Sequence, residues 1–165
     1  VNIDAPATEA YTDVAYDIDV QLLYSEIDPA LHEVVAAGTY GTSMTSTIDY
    51  NPQYFLVNGQ PYAPGTPPLE VTAGQTVLVR LLNAGLESHA PMFQGLYVDL
   101  IAEDGNLYPF AREQYAVLLP AGKTLDALVT PAAGTYPIYD RMLDLTNGTA
   151  PEGGLLSKLQ VNPAP

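Results

Sequence analysis

The chain has 165 residues, 47% of them hydrophobic, with 5 Lys and Arg against 19 Asp and Glu for a formal charge of −14. That length suits one domain with its own core, and the apolar fraction is too high for a disordered chain. The acidic balance removes the electrostatic term that drives binding to nucleic acid and anionic lipid, and no window nears the roughly 18 apolar residues of a membrane helix, so neither partner is expected.

Residues 1–14, mixed in character and proline-bearing, are expected as a leading linker, and the domain proper over 15–161. Tyr16, Ile18, Val20 and Leu22 alternate with Asp17, Asp19 and Gln21, the period-2 signature of a half-buried strand. A helix is expected near residues 29–37. Asp28 suits its N-cap, Pro29 its first position and Gly38 the position past its end, with Leu31, Val34 and Val35 on one apolar stripe. Tyr54 to Val57 then runs into the hairpin dipeptide Asn58-Gly59. Further strands are expected at 69–71, 76–82, 97–102, 117–119, 125–129, 135–139 and 155–161, with turns at Asp104-Gly105 and Ala121-Gly122-Lys123. Short strands between Gly- and Pro-rich turns indicate an antiparallel β-sandwich. The last residues, 162–165, read as a linker. Both ends are expected to be cut from a longer protein.

The residues that could carry chemistry are few. There is no cysteine, so there is no disulfide, thiolate nucleophile or thiolate metal ligand. His32 falls on the expected helix, off its apolar stripe, and reads as an exposed side chain. His89 lies in Glu87-Ser88-His89-Ala90-Pro91-Met92, where His and Met together suggest a soft metal site, against the simpler reading of a satisfied polar residue. No Gly-x-Ser-x-Gly turn, Cys–His pair or phosphate-cradling loop is present. Asn147-Gly148-Thr149 matches the glycosylation sequon and reads as a surface turn. From the residues alone, the sequence describes an acidic, cysteine-free β-sandwich without a function.

A series of phrases in a fixed order takes the reading further. Phe55-Leu56-Val57-Asn58-Gly59, Leu69 to Val77 with Arg80-Leu81-Leu82-Asn83, Val98 to Gly105, Leu119-Pro120-Ala121-Gly122, and Gly134-Thr135-Tyr136 together resemble the multicopper oxidases. The resemblance implies an all-β, Greek-key, cupredoxin-like sandwich. Copper-bearing domains of that family carry His-Pro-x-His-x-His-Gly, and the matching stretch here is His89-Ala90-Pro91-Met92-Phe93-Gln94-Gly95. Their Gly-Thr-x-x-Tyr-His-Cys-His is matched by Gly134 to Ile138 followed by Tyr139-Asp140-Arg141. His89, Met92, Gln94, Tyr139, Asp140 and Arg141 thus stand at degenerate copper-ligand positions. A type 1 site depends on a Cys thiolate, and Arg141 would bring a fixed positive charge where a cation should sit.

The resemblance therefore implies a non-catalytic domain with no cofactor of its own, such as the middle domain of a three-domain oxidase. Copper would lie in flanking cupredoxin domains of the same polypeptide, in a periplasmic or secreted enzyme that oxidises a substrate and reduces dioxygen to water. Two alternatives stay open: a free-standing secreted binding module, and a weak mononuclear copper protein using His89 with Met92 and His32. Self-association of the isolated domain, through faces that neighbours would cover, is also open.

Overall fold

A computed structural model describes residues 9–150 and 152–165. The first eight residues of the expected linker, and Pro151, lie outside the described residues. From Glu9 onward the linker segment is folded: β1 (Glu9–Tyr11) and β2 (Val14–Ala15) pair antiparallel as a small hairpin.

Two sheets form the body. The six-stranded sheet runs β4 (Tyr54–Val57), β3 (Ile18–Ile27), β6 (Val77–Asn83), β10 (Thr124–Val129), β8 (Val98–Glu103), β9 (Asn106–Gln114). The four-stranded sheet runs β5 (Leu69–Thr72), β12 (Leu156–Asn162), β11 (Gly134–Asp140), β7 (Pro91–Phe93). The all-β sandwich with one helix is as the sequence indicated. Its pairing is antiparallel except for β3 with β6 and β5 with β12, which run parallel.

Inward side chains from both sheets make one core: Val20, Leu22 and Tyr24 of β3, Val77, Val79 and Leu81 of β6, and Ile138, Leu159 and Val161 of β11 and β12. β6 is buried on its reverse face too, because Leu78 packs with Ile101 and Ala102 beneath Ala10 of the N-terminal hairpin. That explains its near-continuous Val-Leu run, which period-2 alternation would not produce.

The helix α1 (Pro29–Ala36) has the expected ends. Asp28 accepts from the backbone N–H of Ala30 at 2.9 Å and of Leu31 at 3.4 Å, and Gly38 takes a left-handed φ of 68°. Its apolar stripe is left largely uncovered, for no residue of the helix is buried and Val35 is largely exposed. The turns at Asn58-Gly59 and Asp104-Gly105 both have two successive positive φ angles, the backbone that Asn-Gly and Asp-Gly favour in hairpins. Asn58 also ties its turn to β3, accepting from Leu23 N–H and donating to Gln21 C=O, each at 2.8 Å.

Residues 141–150 and 152–155 close one end of the sandwich. Gly154 (φ 70°) lies so close to Asp144 that an added Cβ would collide with the Asp144 carbonyl. The sequon forms the expected surface turn, closed by Ala150 N–H to Asn147 C=O at 3.0 Å with Thr149 exposed, but the Asn147 side chain is turned into the packing. Its Oδ1 accepts from Phe55 N–H at 2.8 Å at the start of β4, and its Nδ2 is buried, so the side chain is part of the packing.

Candidate functional site

At the closed end of the sandwich, three strand ends and two loops converge on His89, whose side chain is 0% exposed. The approach of β3 to β6 in parallel register brings Glu26 of β3 beside the loop that follows β6. Glu26 Oε2 accepts from His89 Nε2–H at 3.1 Å. Its other oxygen accepts from the backbone N–H groups of Leu86 and Glu87, and from the Tyr50 hydroxyl at 3.3 Å. Gly85 is required here, since a Cβ would overlap the Glu26 carboxylate.

On the opposite side, Asp140 at the end of β11 accepts from His89 Nδ1–H at 3.1 Å. Its second oxygen accepts from the backbone N–H of Ala90 at 2.7 Å and of Met142 at 3.2 Å. Asp144 lies 3.7 Å from the same ring nitrogen. The Tyr24 ring flanks the imidazole at a centroid distance of 6.1 Å.

The electrostatics follow from this geometry. Burial opposes a charge on His89, but its hydrogen bonds to Asp140 and Glu26 outweigh burial and hold its pKa up at about 9. Burial likewise opposes ionisation of Glu26 and Asp140, yet the imidazole and the backbone N–H donors keep both below the usual carboxylate range. Burial pushes Asp144 up to about 6, helped by its hydrogen bond to Asp140. Burial also raises Tyr24 and Glu87. The resulting arrangement is a buried imidazolium between two ionised carboxylates, with every ring N–H and most carboxylate lone pairs engaged.

Can this arrangement hold copper? His89, Asp140 and Asp144 do place ligand atoms within 4.8 Å of one another. A metal needs a bare imidazole lone pair, and a type 1 site needs a thiolate as well. Here both ring nitrogens donate to carboxylates and the chain has no cysteine. The residues present do not fit a type 1 copper.

The structure divides the six degenerate positions by the alternation of β7 and β11. His89 and Asp140 point inward and meet. Met92 pairs across from Tyr139, and Gln94 and Arg141 lie one step to either side, all on the outer face of the four-stranded sheet. Arg141 is exposed, its guanidinium 5.8 Å from the Tyr115 ring centroid, so the positive charge inside the sandwich belongs to His89. His89 is a satisfied residue, as its simpler reading held, but an interior one. His32 is exposed on α1, and the structure does not bring it to His89, nor does it turn Met92 inward.

Sequence reasoning missed Glu26 and Asp144. Glu26 did carry a signal: it continues the inward series Val20, Leu22, Tyr24, where a carboxylate demands a buried partner.

Fold and core together define a cupredoxin-like sandwich. The family profile for multicopper oxidases matches residues 26–160, and the chain belongs to that family. Among solved structures, the blue copper oxidase from Nitrosomonas europaea aligns with TM-score 0.69 and 24% identity, covering 87% of this chain and 43% of that one. The multicopper oxidase mgLAC aligns with TM-score 0.73 and 26% identity over the same two shares. A laccase from Botrytis aclada aligns with TM-score 0.63 and 20% identity, over 89% of this chain and 29% of the laccase. The first and third speak to the fold alone. The chain spans less than half the length of these relatives. No functionally curated protein matches it.

Proposed function

We propose that this chain is a copper-free, non-catalytic cupredoxin domain with a structural role in a larger multicopper oxidase. The carrying observation is that His89, at the family's type 1 histidine position, gives both ring N–H groups to buried carboxylates. One of those carboxylates, Asp140, occupies the position of the family's cysteine. The interior that holds a metal in a copper domain is here filled by an ion pair of the protein's own making. Copper, and the coupling of substrate oxidation to reduction of dioxygen to water, then belong to flanking cupredoxin domains of the same polypeptide. A periplasmic or secreted location goes with that reading.

The test is elemental analysis and titration of the purified chain with Cu(II) and Cu(I), with His89→Ala in parallel. The expected result is no stoichiometric copper, and any weak binding unchanged by the substitution. Stoichiometric copper lost in His89→Ala would overturn the proposal and restore the mononuclear copper reading. Coding sequence for copper-bearing domains on neither side would instead favour the free-standing module.

A further inference from the structure

The turn that follows β11 is strained. Leu143 N–H donates to Asp140 C=O at 3.0 Å and Leu145 N–H to Leu143 C=O at 2.8 Å, so the chain folds back sharply over residues 140–145. Leu143 takes a left-handed φ of 68°, which residues other than glycine avoid, and its side chain is 68% exposed. A turn of this kind persists only where its surroundings hold it. Asp144 does so from both of its ends. Its C=O accepts from the backbone N–H of fully buried Leu155 at 2.8 Å, and its side chain, 23% exposed, enters the His89 cluster.

The supply of donors fixes the protonation of that side chain. His89 gives Nε2–H to Glu26 and Nδ1–H to Asp140, both at 3.1 Å, so no ring N–H is left for Asp144, whose Oδ2 stands 3.7 Å from Nδ1. Asp140 accepts from His89 and from the backbone N–H groups of Ala90 and Met142, which keep it ionised. An ionised carboxylate only accepts. The hydrogen bond between Asp144 and Asp140 therefore needs a proton, and Asp144 carries it. The charges around it agree. Asp140 of β11 and Glu87 on the loop after β6 oppose a charge on Asp144, while His89 favours one but is itself bonded to Glu26 of β3. Arg141, though close in sequence, lies over the Tyr115 ring.

We propose that Asp144 is a proton-operated latch, docking the 141–145 turn onto the His89 cluster while it carries a proton and releasing the turn when it ionises. The inference rests on the same doubly donating His89 as the copper-free reading. Burial and the bond to Asp140 hold docked Asp144 up at about 6, against an ordinary value of 3.8. Docking is therefore fully supported below pH 3.8 and weakens as pH rises through 6. Release lets Leu143 return to a negative φ, so the closed end of the sandwich loosens towards neutral pH.

Amide hydrogen exchange of the whole chain in EDTA, between about pH 4.5 and about pH 7, tests this. Corrected for the intrinsic pH dependence of exchange, protection of the Leu145 and Leu155 N–H groups falls at least about tenfold over that range, and amides of β6 and β10 do not follow. Asp144→Asn, whose side-chain amide donates to Asp140 at every pH, keeps the turn protected and removes the dependence. In the unaltered protein the Asp144 carboxyl carbon, followed by NMR, titrates at about 6. Flat protection in the wild type, an equal fall in β6 and β10, or the same fall in Asp144→Asn overturns the proposal. So does titration of Asp144 below about pH 4.5. Copper titration tests the other reading separately, so either can fail alone.

Discussion

His89 holds together parts of the chain that are distant in sequence: Glu26 lies 63 residues before it and Asp140 51 residues after it. A buried ion pair is weak evidence of net stability, because two charges were taken from water to make it. Breaking it is another matter. His89→Gln leaves two buried carboxylates facing a neutral amide, and should cost on the order of 3 kcal/mol in chemical denaturation at neutral pH. The pH dependence carries the sign. The folded-state pKa of His89, about 9, exceeds its ordinary value of 6.5. Its contribution is therefore complete below pH 6.5 and is lost as pH rises through about 9. Glu26 and Asp140, held low, contribute at pH above the ordinary carboxylate range and lose that contribution as pH falls. Stability of the wild type should thus fall between pH 6.5 and 9.5, while that of His89→Gln stays nearly flat there. Parallel slopes in the two proteins would contradict the imidazolium assignment.

The elements that the sequence announces are those whose signals are local. Asp28, Pro29 and Gly38 mark the ends of α1 because capping and a left-handed residue act within a few positions. The burial of its stripe is a tertiary matter that these local signals do not decide, and no residue of the helix is buried. β9 gave no alternating signal, since almost all of Asn106–Gln114 is exposed on both sides at the edge of its sheet. β7 has three residues, too few to show a period. The site was legible by halves: His89 and Asp140 from aligned phrases, Glu26 only through the parallel register of β3 on β6. The loop 141–155 is held by glycines where side chains do not fit. Gly154→Ala combines a left-handed φ with a clash against Asp144, and should cost about 3 kcal/mol in thermal or chemical unfolding. A cost below about 1 kcal/mol would mean that the loop packs less tightly than described.

Over the whole molecule, 19 acidic residues face 5 basic ones, and self-repulsion works against the compact state. Among the described residues, Lys123 is the one lysine clamped between two surface carboxylates, Glu103 and Asp104. Raising NaCl from about 10 mM to about 500 mM should therefore stabilise the monomer, by about 1 kcal/mol at pH 7 and low protein concentration. Destabilisation by salt would show that surface ion pairs outweigh the net repulsion. The membership of this acidic body in the multicopper oxidase family rests on backbone phrases rather than on ligands. The phrases specify turns and strand ends, which the sandwich needs whether or not a metal is bound.

The inward and outward sorting of the six ligand-like positions also constrains how such a domain can change over generations. Met92, Gln94, Tyr139 and Arg141 each face outward and can be exchanged one at a time, with consequences confined to the surface. His89 is hydrogen-bonded to both Asp140 and Glu26. Replacing any one of the three strands a charge in the interior, so single substitutions reach a thiolate at position 140 only through a poorly folding intermediate. The ion pair works as a ratchet: with it in place, single substitutions are tolerated on the outside while the interior is closed to them.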